Sequence, residues 1–336
     1  MGPRGVAYTV LLEPRAVATF CHLVVETEAA VLLLVPETER LGAAGARVLL
    51  LVDEAGEPGR DEVGHHLPQL SLPRGTWVPE GVGSLSEQAE ARLGARTTVL
   101  RHLVDLDGGH VCEAEVHDAR WRPPAGSRWV TFHELRDVCG EEWTRQHSAA
   151  EAIERWFAEQ SGAAPVPPIR PAWERRGWMD EMLAWADPAM VHAGAPRTGR
   201  PVPVKGAWSG SAILKLPTAA GDFFLKCGYT RPPGEAALLA ALSEGWPDVV
   251  PEVVAWEASR NVALMRDFGG TELWGAPVSR WENAARDFGQ LQLECSRQLG
   301  RWLAMGTEDQ RPETLPGNYE RLLADRPYLR LDQPRG

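Results

Sequence analysis

A chain of 336 residues, 44% hydrophobic and 24% charged, is long enough for two globular domains and carries no compositional mark of disorder or of a fibre. Its 46 Asp plus Glu outweigh 35 Lys plus Arg, and the formal net charge of -11 repels a phosphate backbone, so nucleic acid is excluded as the expected partner. The apolar runs at 29–35 and 48–52 fall far short of the about 20 residues a membrane helix needs. Glu13, Pro14 and Arg15 interrupt the N-terminal stretch before it takes signal-peptide form, so a soluble cytoplasmic protein is expected.

In the first half, apolar β-branched runs at 21–25, 30–35, 47–52 and 129–132 alternate with Gly and Pro turns, as strands do. An amphipathic helix is expected over 148–160, with Ser148 as N-cap and Ile153, Trp156 and Phe157 on one face. The five cysteines are scattered, odd in number and never spaced C-x-x-C, which fits reduced core thiols. His65, His66, His102 and His110 lack the spacing of a structural metal site, and no metal ligand is assigned. Four prolines within 161–171 deny helix hydrogen bonds and favour extended chain, which places a linker at 161–172 between a first domain, 1–160, and a second, 173–336.

In the second half, Trp173, Trp178, Met182 and Trp185 recur at helical spacing and predict a helix leading into the domain. A hairpin follows: a strand over 211–216, a Gly-containing turn over 217–222 and a strand over 223–227. Next come an Ala/Leu-rich helix at 234–244, short strands at 252–256 and 262–265, one long helix over 279–305, and a shorter helix in the tail. The order is strand, strand, helix, strand, strand.

Lys226 ends a strand of apolar neighbours and Glu235 opens the next helix. An ammonium withdrawn from water needs a counter-charge, and a strand Lys held by a helix Glu is how kinases place a cation on nucleotide phosphates. A surface ion pair of little consequence is the alternative. The segment 173–270, from WERRGWMDEMLAWAD through LKCGYTRPPGEAALLAALSE to VPEVVAWEASRNVALMRDFGG, resembles the N-terminal lobe of the aminoglycoside-phosphotransferase family of small-molecule kinases. That resemblance implies ATP with magnesium as ligand, Lys226 on the phosphates and Glu235 orienting it. It also implies a phosphate loop through Gly206, Ser209, Gly210 and Ser211, and a hinge on which adenine sits, formed by Leu264, Met265, Arg266, Asp267 and Phe268.

The family's catalytic loop carries an H-G-D-like Asp, a following Asn and a further Asp for magnesium. No His follows His192, and Asp309, Asp325 and Asp332 lack that context, so no catalytic residue is assigned and the chain is expected to be truncated and inactive alone. Asp267-Phe268-Gly269 imitates the magnesium motif but lies about 40 residues after Lys226 and before any catalytic loop, so it reads as the hinge turn. The expected partners are a nucleotide and either a separate catalytic-lobe chain or a second copy, since Trp281, Phe288 and Trp302 would otherwise face water.

Residues 72–81 and 84–93, with the later stretch from Trp129 to Leu135, resemble the loop, helix and strand exit of a Nudix hydrolase. In that family a run of glutamates holds magnesium on a diphosphate. Here Arg92 is followed by Leu93, Gly94 and Ala95, and only Glu80, Glu87 and Glu90 lie near.

The expected fold is therefore α+β: a Nudix-like α/β/α sandwich followed by a kinase-like antiparallel sheet with one helix and trailing helices. The expected function is ATP binding by a phosphotransferase-like protein. Hydrolysis of a nucleoside diphosphate derivative, or a non-catalytic interaction role, stand as alternatives.

Overall fold

The computed structural model describes residues 28–36, 48–52, 65–67, 69–73, 78–106, 109–137, 147–167, 170–205, 210–229, 234–270, 273, 276–307, 309 and 311–325. The expected strand at 21–25 lies outside them. Helices and β-sheets together give an α+β fold, and the described residues divide into two compact units. One unit falls within Met1–Gly75, Leu103–Cys112 and Arg122–Ala164, the other within Thr76–His102, Glu113–Trp121 and Pro165–Gly336.

In the first unit, strand β1 (Glu28–Leu34) pairs antiparallel with β4 (Gln69–Pro73), Ala30 opposite Ser71. Strands β5 (Thr97–Leu106) and β6 (Gly109–Val116) each divide between the two units. Strands β2 (Val48–Val52), β3 (His65–His66) and β7 (Arg128–Val130) form a second sheet of order β3-β2-β7. Residues 132–137 lie in helix α2, so the strand expected through 132 ends two residues early. Helix α3 (His147–Gln160) starts before Ser148, which therefore lies inside the helix and is not its N-cap. The 3.6-residue period of α3 holds: Ile153, Trp156 and Phe157 are buried with Leu34, Val111, Val130 and Leu135, and the Trp156 and Phe157 rings meet edge-on at 4.9 Å.

The second unit is built on an antiparallel sheet of order β11-β12-β10-β9-β8. Its strands are β8 (Val202–Lys205), β9 (Ser211–Thr218), β10 (Gly221–Gly228), β11 (Val253–Glu257) and β12 (Val262–Arg266). The β9–β10 turn is tighter than the composition implied, since Thr218 already pairs with Gly221. Alternation sends Ala212, Leu214, Leu216, Phe223, Leu225 and Cys227 to one buried face. There they join Trp178, Met182, Ala186 and Met190 of helix α4 (Trp178–His192). Burying Phe223 and Leu225 contributes on the order of 2 kcal/mol apiece. Trp173 is in that core but not in the helix: it sits in a 3-10 turn, Ala172–Glu174, and Gly177 at φ 77 separates it from α4.

Helix α1 (Val78–Leu93) also belongs to the second unit. It starts earlier than expected, taking in residues 78–83 with Pro79 in its first turn, where a missing N–H removes no helical bond. A Cβ on Gly83 would lie 2.6 Å from the Pro203 carbonyl oxygen, so α1 packs on β8 at a separation only glycine permits. Glu113 of β6 receives Arg176 Nη2 at 2.9 Å, and Glu115 accepts the Gly177 backbone N–H at 2.7 Å.

Helix α5 (Glu235–Gly245) lies between β10 and β11 in sequence. The single long helix expected over 279–305 is two: α6 (Val278–Ser296) and α7 (Leu299–Ala304). The break lets Trp302 fold back, donate its Nε1 to the Cys295 carbonyl at 2.9 Å and pack on Trp246, ring centroids 6.1 Å apart. Trp302 is thus buried, against expectation, whereas Trp281 and Phe288 are exposed. Helix α8 (Leu315–Ala324) follows, with Leu315, Tyr319, Leu322 and Leu323 exposed along one stripe. No helix among the described residues is long and apolar enough to cross a membrane. Cys112, Cys227 and Cys295 are free thiols, and burial raises Cys227 to about 11, far from a reactive thiolate.

Candidate functional site

Lys226 is opposite Ile213 on β9 and Ala263 on β12, at the centre of the five-stranded sheet. Two residues away, Phe224 is opposite Lys215 and Met265. Directly paired residues in an antiparallel sheet share a face. Lys226, Phe224, Ile213, Ala263 and Met265 therefore line the face opposite the buried Phe223-Leu225-Cys227 row.

On that face the Lys226 Nζ donates to Glu235 Oε1. Glu235 is the first residue of α5, where the helix N-terminus favours a carboxylate. The Lys226 side chain is 32% exposed, so its ammonium is held on one side and open to solvent on the other. The pair is a contact between strand and helix, which sequence spacing alone leaves undecided.

The residues expected to form the hinge divide by position. Leu264 and Met265 are buried in β12. Arg266 turns to the opposite sheet face, with its guanidinium 4.8 Å from the Phe223 ring centroid, its Nε 3.1 Å from Glu252 Oε2 and its Nη2 on the Ala193 carbonyl at 3.2 Å. The backbone N–H groups of Arg266 and Asp267 donate to the carbonyls of Glu252 and Asp222 at 3.0 and 2.9 Å. Asp267 Oδ1 accepts the Gly269 N–H at 2.9 Å, a short Asx turn that agrees with its place as a turn residue. Phe268 is 67% exposed.

Of the residues expected to form a phosphate loop, Gly206 and Ser209 lie outside the described residues. Gly210 precedes β9 and Ser211 begins it, opposite Gly228. Among the tail carboxylates, Asp309 is taken by Arg311 at 2.6 to 3.1 Å, and that guanidinium holds its pKa down to about 2. Asp332 lies outside the described residues.

Among the described side chains, the glutamates of α1 form no ligand cluster. Glu87 is exposed and Glu90 pairs with Arg200. The Glu80 side chain is outside the described set. In the first unit, His110 Nδ1 lies 2.8 Å from Asp105 Oδ1.

Asn261, in the turn between β11 and β12, escaped the sequence reading. It is 4% exposed and sits at φ 47, the one positive φ outside glycine among the described residues. Its side chain meets both the end of β10 and the start of α5. The available signal was local: Asn is the ordinary residue most at home in the left-handed region, and Ser259-Arg260-Asn261 separates two strand patterns.

No protein-family model and no curated protein matches this chain. Among solved structures, a chain from the crystal structure of the complex between the C-terminal domain of mouse MUTYH and human PCNA is similar over 38% of this chain and 88% of its own length. The sequence identity is 17% and the TM-score 0.26, a likeness too slight to assign fold or function.

Proposed function

We propose that the second unit binds the phosphates of a nucleotide, ATP in the first instance, in the manner of a phosphotransferase N-lobe. The observation that carries this is the Lys226–Glu235 contact: a cation fixed at the middle of an antiparallel sheet by a carboxylate at a helix N-terminus, with one side open to solvent. The sheet order β11-β12-β10-β9-β8, with α5 inserted between β10 and β11, supports it, because this connectivity brings a central-strand Lys to the first turn of a helix. In a chain of net charge -11, a polyphosphate needs such a local cation. Asp222 pairs with Lys215 at 2.7 Å and Asp267 is committed to Gly269, so magnesium is assigned to the nucleotide's own oxygens and to no protein ligand.

The chemistry of these residues is binding and orientation. Lys226 neutralises phosphate charge and Glu235 holds the ammonium in place. No residue is assigned to proton abstraction or phosphoryl transfer, and the acceptor is an unspecified small molecule. The hydrolase alternative gains nothing from α1, where Glu90 is occupied by Arg200. An interaction role draws on the exposed Trp281 and Phe288 of α6 and the α8 stripe, which we assign to contact with a second copy of the chain.

Calorimetric titration of the purified protein with ATP and magnesium tests the nucleotide reading, with Lys226→Ala alongside. Binding to wild type that weakens at least about tenfold in the variant supports it, since charge-assisted bonds contribute about 1.5–3 kcal/mol. Equal binding in both, or none in wild type, sinks it.

A further inference from the structure

We infer that Asn261 is a positioning residue for the Lys226–Glu235 pair, acting through the first turn of α5. The inference rests on the proposed nucleotide site for its functional meaning, but the geometry belongs to this chain whatever the ligand.

A helix leaves its first N–H groups without intrahelical acceptors, and the N-cap side chain usually satisfies one of them. The residue before α5 is Gly234, which has no side chain to do so. The acceptor comes instead from another hairpin: Asn261 Oδ1 takes the Ala236 N–H at 2.9 Å. The same amide donates Nδ2 to the Tyr229 carbonyl at 2.6 Å, and the Asn261 carbonyl accepts the Gly228 N–H at 3.0 Å. One buried side chain thus ties Tyr229, three residues past Lys226, to the helix turn that begins with Glu235.

Gly228 completes the arrangement. A Cβ there would lie 2.6 Å from Glu235 Oε2 and 3.0 Å from Asn261 Nδ2, so the carboxylate and the amide both rest against bare backbone. Glu235 is held between the Lys226 ammonium and Gly228, beside Asn261. The backbone of Asn261 stays left-handed because its own N–H reaches the Ala258 carbonyl at 3.1 Å while the side chain bonds the Ala236 N–H and the Tyr229 carbonyl. Such a conformation persists when its surroundings over-determine it.

The test separates this role from general stability and from the nucleotide reading. Nucleotide-free wild type, Asn261→Gly and Gly83→Ala are treated with a water-soluble carbodiimide, which joins an amine and a carboxylate only when they touch. The Lys226–Glu235 amide is then quantified by peptide mass spectrometry below the melting midpoint of each protein. Asn261→Gly keeps the left-handed backbone without strain and deletes only the amide. Its cross-link yield is expected to fall about fivefold, the factor that accompanies loss of one helix cap. Gly83→Ala, a packing defect at α1 and β8 in the same unit, is expected to leave the yield unchanged. In wild type alone, hydrogen exchange should find the Ala236 amide protected although it sits in a helix first turn.

An unchanged yield in Asn261→Gly, an equal fall in both variants, no cross-link in wild type, or an unprotected Ala236 amide each overturns the inference. Loss of the cross-link in Asn261→Gly alone, in a protein whose wild type binds no ATP, upholds the positioning role and rejects the nucleotide reading.

Discussion

Glu113 and Arg101 form a 2.6 Å ion pair with side chains only 3% and 8% exposed, and Arg176 of the C-terminal half closes on the other carboxylate oxygen at 2.9 Å. Burial would by itself raise the Glu113 pKa. The two guanidinia outweigh it, and the carboxyl is held below its ordinary value of 4.5.

Two consequences are measurable in urea unfolding. Glu113→Gln leaves two guanidinium groups without their counter-charge and is expected to cost about 3 kcal/mol. Because the folded pKa is depressed, the contribution of Glu113 is fully present above the unfolded carboxylate value and is lost as pH falls through the lower folded value. Stability of wild type should therefore drop in that acid window more steeply than in the variant. Equal slopes would remove Glu113 from the account.

His117 gives a second pH effect in milder acid. Burial, assisted by the nearby Arg96 and opposed by Asp180, lowers its pKa from 6.5, and its side chain is fully shielded next to Thr98 Oγ1 at 2.9 Å. The unfolded state binds this proton more readily, so stability falls as pH drops below the ordinary histidine range. Glu115, raised by burial, runs the other way: its favourable contribution is present in acid and lost as pH rises through its folded value. Comparing wild type with His117→Gln in urea at about pH 7.5 and about pH 5.5 isolates the histidine part. The variant should lose less stability on acidification.

Gly83→Ala puts a methyl group 2.6 Å from the Pro203 carbonyl oxygen. Backbone must shift on α1 or β8, and overpacking of this kind costs about 1–3 kcal/mol. A melting temperature equal to wild type would mean that α1 and β8 separate without penalty.

Glu235→Ala leaves the Lys226 charge but frees the ammonium to wander. ATP affinity is expected to weaken by about threefold, less than in Lys226→Ala, because charge is retained and only its placement is lost. Calorimetry on both variants checks the order. A stronger effect from Glu235 than from Lys226 would contradict the assigned roles.

The exposed Trp281, Phe288, Tyr319 and Leu323 make association with a second copy the expected behaviour at high concentration. Light scattering should show mass rising with concentration in wild type and staying at the 36.9 kDa of one chain in Trp281→Glu/Phe288→Glu. Monomeric wild type at every concentration would reject self-association.

Much of the second unit was legible in the sequence because local periodicity reports which face is buried. The apolar run over 223–227 gave the second strand of the hairpin, and the fold then puts Lys226 on the face opposite Phe223, Leu225 and Cys227. The spacing of Trp178, Met182 and Trp185 gave α4, although Trp173 of the same pattern lies outside it, and Ile153, Trp156 and Phe157 gave the inner face of α3. Boundaries were less legible where a neighbour competed. Periodicity continued across 297–298, but the fold ends α6 there so that Trp302 can turn back onto Trp246 and the Cys295 carbonyl.

Composition class, the strand and helix patterns, and the candidate status of Lys226 and Glu235 were readable along the chain, since each follows from residue type and near-neighbour spacing. Packing of the folded chain was needed to bring Lys226 to Glu235, to pair Asp309 with Arg311 and Glu90 with Arg200, and to let Asn261 cap a helix 25 positions away. Those outcomes depend on where separate elements come to rest against one another. Burial and hydrogen bonding across a fold are set by all the contacts at once, and residue order along the chain carries no direct record of them.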